Sequence, residues 1–215
     1  MSRLLYDPDE AASHLVTASP AFAKLVARVG PPTLRRMPAP SIFFALARAI
    51  ASQQLSGKAA ATIFGRVEAK LLGTRTAAFS PAALAELQDS DLREAGLSHA
   101  KVRALRDLAA HCKDGRLPTL RGCARLDDHV LIERLTQVRG VGRWTVEMLL
   151  IFRLGRKDVW PVHDLGVQEG ARRTFALASR PTPKELETLG DDLAPYRSLA
   201  AWYLWRATEL PPGPV

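Results

Sequence analysis

Cysteine is nearly absent from this chain: Cys112 and Cys123 are the only thiols in 215 residues. They lack Cys-x-x-Cys spacing, so thiolates alone build neither a tetrahedral zinc site nor a four-cysteine iron–sulfur cluster. Two reduced cysteines without a special role are expected. No apolar run approaches the roughly 20 residues needed to span a bilayer. The opening residues Met1-Ser2-Arg3-Leu4-Leu5-Tyr6-Asp7 reach an acid too early for a signal peptide, so a soluble, cytoplasmic protein with no membrane partner is expected. Internal repeats and low-complexity tracts are missing, which argues against a solenoid. Acidic residues are outnumbered, 22 against 30 Lys and Arg, and the resulting formal charge of +8 favours a polyanionic partner. A hydrophobic fraction of 47% excludes a disordered basic tail.

Strand-like alternation is also scarce, and what remains is helical punctuation. Ser19, Pro20 and Gly30 supply an N-cap, a first-turn proline and a stop around Ala21 to Val29, and Thr182, Pro183 and Gly190 repeat the arrangement. Between them, Ile42, Phe43, Ala45, Leu46, Ala49 and Ile50 line one helical face, and Ser56 opens a segment to Leu72 closed by Gly73. Ser80-Pro81, Ser90-Asp91 and Ser98 suggest further caps, the last leading a basic amphipathic helix with Lys101, Arg103 and Arg106 opposite Val102, Leu105 and Leu108. The expectation is an all-α protein of roughly ten helices. The Pro-rich stretches at Gly30 to Pro40 and Pro211 to Val215 read as a connection and a frayed tail. A two-lobed arrangement would place a central helical domain at 38–162, with 1–37 and 163–215 forming a second, discontinuous one.

The chemistry concentrates between Leu135 and Asp164. In Gly140-Val141-Gly142 two residues without Cβ let the backbone bend tightly and approach a ligand closely. The amides at the start of the following helix, with the positive end of its dipole, suit a phosphate oxygen, and Arg139 and Arg143 add charge on either side. Taken alone, Gly-x-Gly describes any tight turn between helices. Leu135, Val138 and Val141 change that reading, because their apolar side chains would pack the turn beneath the helices and make it rigid. Asp164 fits two roles: an N-cap for a helix from Leu165 to Thr174, and a carboxylate available for catalysis. His163 suits a phosphate or structural contact better than a second base.

The string from Leu135 through Thr145, followed by Trp160-Pro161-Val162-His163-Asp164, resembles the helix-hairpin-helix, Gly/Pro-rich loop and aspartate signature of base-excision DNA glycosylases. Within that superfamily it is most similar to the 3-methyladenine DNA glycosylase II branch. Further blocks, Ile50 to Ser56, Gly96 to Lys101 and Tyr196 to Trp205, extend the resemblance from about Ser19 to Arg206. It implies a two-lobed helical fold with a cleft between the lobes. It also implies a monomer acting on double-stranded DNA that contains damaged bases, in the cytoplasm and at the nucleoid. About 40 residues precede the first shared block, so the extra N-terminal β-rich domain of longer enterobacterial relatives is expected to be absent.

Where lyase-competent family members carry an attacking lysine this chain has Trp144, so hydrolysis without strand cleavage is implied. Asp164 would stabilise the oxocarbenium-like sugar or orient the attacking water, two roles the sequence does not separate. Trp144, Met148, Tyr203 and Trp205 are candidates for the base pocket, where an electron-rich face attracts a cationic purine; core packing is the alternative for each. The Gln53-Gln54-Leu55 corner resembles the family's minor-groove wedge. Arg139, Gly140, Gly142, Arg143 and Thr145 are the expected phosphate contacts, with Lys101 and Arg197 as additional basic ones. The resemblance further implies a structural Na⁺ or K⁺ on the carbonyls of Thr136, Val138 and Val141, and no cofactor for catalysis. The implied activity is release of alkylated bases, N3-methyladenine and N7-methylguanine foremost. The rival readings are a silent lesion-binding protein, or an oxidised-base or mismatch enzyme of the same superfamily.

Overall fold

The computed structural model describes residues 4–37 and 39–211. Residues 1–3 of the N-terminal stretch and 212–215 of the expected tail lie outside the described residues. The chain forms α1 (Pro8–Ala18), α2 (Pro20–Val29), α3 (Ile42–Ser52), α4 (Gly57–Leu72), α5 (Pro81–Glu86), α6 (Asp89–Glu94) and α7 (His99–Lys113). It continues through α8 (Leu120–Ala124), α9 (Asp128–Leu135), α10 (Arg143–Leu149), α11 (Leu165–Thr174), α12 (Pro183–Leu189) and α13 (Arg197–Glu209). A π-helical segment, Leu150–Leu154, prolongs α10, and a 3₁₀ turn, Asp191–Leu193, precedes α13. No strand is present among the described residues, so the fold is all-α.

Local chemistry explains most of the helix starts. Ser19, Ser98 and Thr182 each turn a side-chain oxygen onto a backbone N–H of the first turn, and Thr182 and Glu185 close a reciprocal capping box. One start differs from expectation: α6 is capped by Gln88 rather than Ser90, because Asp91 reaches back to the Gln88 amide at 2.7 Å. The helices beyond the expected ten include short ones such as α8, whose five residues are too few to show a periodic face.

The helices divide into two compact units. Residues 39–149 form one; the described residues before 39, together with those from Leu150 onward, form the other. In the 39–149 unit, Ile42, Phe43, Leu46 and Ile50 of α3 are buried, as are Phe64, Val67 and Leu71 of α4 and Val102, Leu105 and Leu108 of α7, and α3 packs against both α4 and α7. Phe44 meets Phe64 and Phe79 edge-to-face, and Phe64 and Phe79 are tilted at 37°, with ring centroids 4.8 to 5.4 Å apart. Each fully buried large apolar side chain contributes about 1.5–3 kcal/mol. In the discontinuous unit α11 lies on α13, and α2 packs on both α1 and α13, over Leu15, Phe22, Leu25, Val167, Leu199 and Leu204.

The division between units falls earlier than residue 162. Helix α10 runs into its π extension without any Pro or Gly to mark a change, and residues 150–160 are tied to the C-terminal helices. Phe152 stacks on Trp205, Val159 N–H donates to Ser198 Oγ at 2.9 Å, and Trp160 Nε1–H donates to the Leu186 carbonyl at 2.9 Å.

Candidate active site

Asp164 sits in the discontinuous unit as the N-cap of α11, only 8% exposed. Its Oδ1 accepts the Val167 N–H at 2.8 Å and the Trp205 indole N–H at 2.9 Å. The loop leading to it is fixed as well: Asp164 N–H donates to the Pro161 carbonyl at 3.0 Å, and Gln168 Nε2 donates to the Val162 carbonyl at 2.8 Å. A buried carboxylate is costly unless hydrogen-bonded, and these bonds hold it in one rotamer. The indole reaches Asp164 because α11 presents glycine where α13 comes close. A Cβ on Gly170 would collide with the Leu204 backbone, and one on Gly166 would stand 2.9 Å from Trp205 Cδ1. Phe152 lies against the indole, centroids 5.6 Å apart at 26°.

Two expectations within this unit are corrected. Tyr203 is fully buried in the core, its ring edge-on to Trp202 and its hydroxyl donating to the Gly30 carbonyl at 3.1 Å. Burial pushes its phenol up to about 12, and it offers no face to a base. Arg197 is engaged with both oxygens of Asp158, each at 2.7 Å, and this pairing raises its pKa further. It ties α13 to the loop after the π segment and is not a loose basic contact.

The 39–149 unit holds the turn between α9 and α10. Leu135, Val138 and Val141 are buried beneath it. Val141 N–H closes the turn onto the Val138 carbonyl at 3.0 Å. Gly140 adopts φ +76°, a conformation that favours glycine, and a Cβ there would stand 3.3 Å from Ala104 Cβ. Gly142 brings no side chain to cap α10, whose first-turn N–H groups point out of its end. Thr145 is packed inward, so its backbone rather than its hydroxyl serves that end. Arg139 is exposed, but its N–H is already bound to Asp107 Oδ2 at 2.7 Å. Arg143 is largely exposed, with Nε on Glu147 Oε1 at 2.8 Å. Trp144, 49% exposed, and the half-buried Met148 share α10.

The corner between α3 and α4 belongs to the same unit. Gln53 caps α3, and its Nε2 donates to the Gly140 carbonyl at 2.8 Å, so this side chain is tied to the hairpin rather than free to enter a base stack. Gln54 has φ +58°, and Leu55 is 37% exposed. Lys101 is also reassigned: its Nζ donates to the carbonyls of Ala51 at 2.9 Å and Gln53 at 2.7 Å, at the end of α3. Desolvation there lowers its pKa. Sequence reasoning missed Asp107 and Gly166 entirely; no local pattern marks either. Among the described residues no group of three His, Cys, Asp or Glu could hold a metal ion, and no helix is long and apolar enough to cross a membrane.

A glycine-bearing hairpin between two helices in one unit and a capped, buried aspartate in the other define a class, and comparison with known proteins agrees. The model of the HhH-GPD superfamily of base excision DNA repair proteins matches residues 47–195, and the chain belongs to that superfamily. Within it the chain falls in the 3-methyladenine DNA glycosylase branch, enzymes that hydrolyse N-glycosyl bonds. It is 41% identical over 165 residues to DNA-3-methyladenine glycosylase 1 of Schizosaccharomyces pombe, covering 77% of this chain and 72% of that protein. It is 32% identical over 204 residues to the alkylbase DNA glycosidase-like protein mag2 of the same yeast, covering 95% of each. Among solved structures, the S. pombe 3-methyladenine DNA glycosylase in complex with abasic DNA matches with TM-score 0.81 and 38% identity, over 94% of this chain and 97% of that one. A DNA-3-methyladenine glycosidase from Bacillus halodurans matches with TM-score 0.82 and 34% identity, over 95% and 90%.

Proposed function

We propose that this protein hydrolyses the N-glycosidic bond of alkylated bases, N3-methyladenine and N7-methylguanine foremost, in double-stranded DNA, and that Asp164 is its catalytic carboxylate. It acts in base excision repair and leaves an abasic site. The observation that carries the assignment is the fixing of Asp164 Oδ1 by the Val167 amide and the Trp205 indole. As the C1′–N bond breaks, positive charge develops on the sugar, and a preorganised carboxylate stabilises that charge without reorienting. Water adds to C1′ and gives up a proton to the Asp164 carboxylate or to bulk water, and an N-alkylated purine, already cationic, leaves as the neutral base. No general acid is required.

The hairpin amides with Arg139 and Arg143 would hold a phosphate, and Trp144 offers an exposed indole on which a cationic purine can stack. Gln54 and Leu55 are the remaining wedge residues, set to offset the few kcal/mol that extruding a base costs. With an indole in place of the family's lysine, no Schiff base forms with the sugar. The main-chain carbonyls of Thr136, the C-cap of α9, and of Val138 and Val141 in the turn that follows are oxygen donors of the kind a Na⁺ or K⁺ accepts. Such an ion would stiffen the turn, and catalysis takes no cofactor.

Duplexes that each carry one defined lesion, incubated with the protein and then treated with hot alkali, test this reading. Cleavage at N3-methyladenine and N7-methylguanine by the native protein is expected. Asp164→Asn should bind the duplexes and release nothing. Normal turnover by that variant would sink the assignment.

A further inference from the structure

We propose that α7 is the frame that fixes the Gln53–Leu55 corner relative to the hairpin, with Lys101 as a positioning residue for the wedge rather than a DNA contact. The inference rests on reading the corner as a wedge and the hairpin as a phosphate holder, and adds what keeps the two in register.

Lys101, Ala104 and Asp107 follow one another at a spacing of three on α7, so they share one side of the helix. Each touches one of the two elements. The Lys101 ammonium takes the carbonyls of Ala51 and Gln53, which the end of α3 leaves without intrahelical donors. Its charge also complements the negative end of that helix. Ala104 lies under Gly140, and Asp107 accepts the Arg139 N–H, so the next two positions grip the hairpin. The Gln53 side chain then crosses from the corner to the Gly140 carbonyl and closes a ring of contacts. Three separate segments of chain are thereby locked together by main-chain carbonyls, one carboxylate, one amide and one ammonium.

The consequence falls on Gln54 and Leu55. A wedge does work against base stacking, and a corner free to yield would transmit little of it. Gln54 already holds a left-handed backbone that is uncommon for a residue with a side chain. Lys101 secures the residue immediately before it. The ammonium is partly desolvated, which lowers its pKa, so its place is set by the two carbonyls rather than by exposure to solvent.

The test uses the full-length protein and a duplex carrying a tetrahydrofuran abasic-site analogue beside 2-aminopurine, whose fluorescence rises when the base unstacks. Lys101→Met should lower the unstacking equilibrium about tenfold, the scale of a lost charged hydrogen bond. Affinity for an undamaged duplex should stay within about twofold, since the hairpin is still held by Asp107. Lys101→Arg, which keeps the charged donors, should recover most of the fluorescence. Asp107→Ala should show the converse, weaker binding to undamaged duplex.

The proposal is overturned if Lys101→Met unstacks the probe like the native protein, or if Lys101→Arg fares no better than Lys101→Met. A parallel loss of undamaged-duplex binding in Lys101→Met overturns it too, as does a native protein that leaves the probe stacked. The readout needs no turnover. Should Asp164→Asn prove active, the catalytic assignment fails while the fluorescence result still decides the role of α7.

Discussion

The indole of Trp205 occupies the space that a side chain on Gly166 would need: a Cβ there would stand 2.9 Å from indole Cδ1 and 3.1 Å from Asp164 Oδ1. A missing methyl group on α11 is therefore what admits a hydrogen-bond donor from α13 to the carboxylate. The hydrogen bonding of Asp164 and close helix packing have the same origin here.

Gly166→Ala should displace the indole and break its bond to Asp164. Base release in single-turnover assays on an N7-methylguanine duplex should fall about tenfold or more, and overpacking should cost about 1–3 kcal/mol in urea unfolding. A variant with native rate and native stability would show that the indole can leave without consequence.

Trp205→Phe separates the two effects, because a phenyl ring can still lie against Phe152 but has no N–H to donate. The expected result is again a rate loss of about tenfold, with affinity for an abasic-analogue duplex unchanged within about threefold. Full activity in this variant would show that the orientation of Asp164 does not depend on the indole N–H.

Tyr203→Phe removes only the bond to the Gly30 carbonyl. Stability should drop by about 1 kcal/mol and base release should remain within about twofold of native. A stable Tyr203→Phe protein with a large loss of rate would return Tyr203 to the base pocket.

Glu169 supplies a pH dependence. Hydrogen bonds from Arg172 and Arg173 hold its carboxyl at about 2, and Arg173 also reaches the Thr208 carbonyl near the end of α13. A carboxylate depressed in the folded state stabilises above its unfolded value, about 4.3, and that contribution is lost as pH falls through the folded one. Glu169→Gln should destabilise the protein at pH 7 by less than about 1 kcal/mol given solvent screening, seen as a lower melting temperature. Thermal melts should show the difference narrowing below about pH 4 and closing near pH 2. A gap independent of pH would refute the ionic origin.

What the sequence disclosed was whatever sits within a few residues of its own cause. Ser19, Ser98 and Thr182 cap helices three residues away or less, and the helix after Asp164 spans Leu165–Thr174 as its cap and periodicity imply. The contacts that organise the candidate site are long-range instead. Gln53 meets Gly140 across 87 positions, and Lys101 meets Ala51 across 50. A lysine on a basic amphipathic helix looks solvated until the helix it caps is in place. Tyr203 is ambiguous in sequence for another reason: from Ser198 to Leu204 every residue of α13 is buried, so no polar face distinguishes core from site. The change of unit inside the helix that begins at Arg143 left no mark either, since no residue there breaks the backbone.

Chain order adds a consequence for biosynthesis. The 39–149 unit is one unbroken stretch, whereas α1 and α2 must wait for α13 to reach them. Domains fold as units while the chain emerges, so the hairpin and corner can form early on the ribosome. Asp164 acquires the Trp205 indole donor only after α13 has emerged. The hairpin and corner are thus complete before the surroundings of Asp164 are.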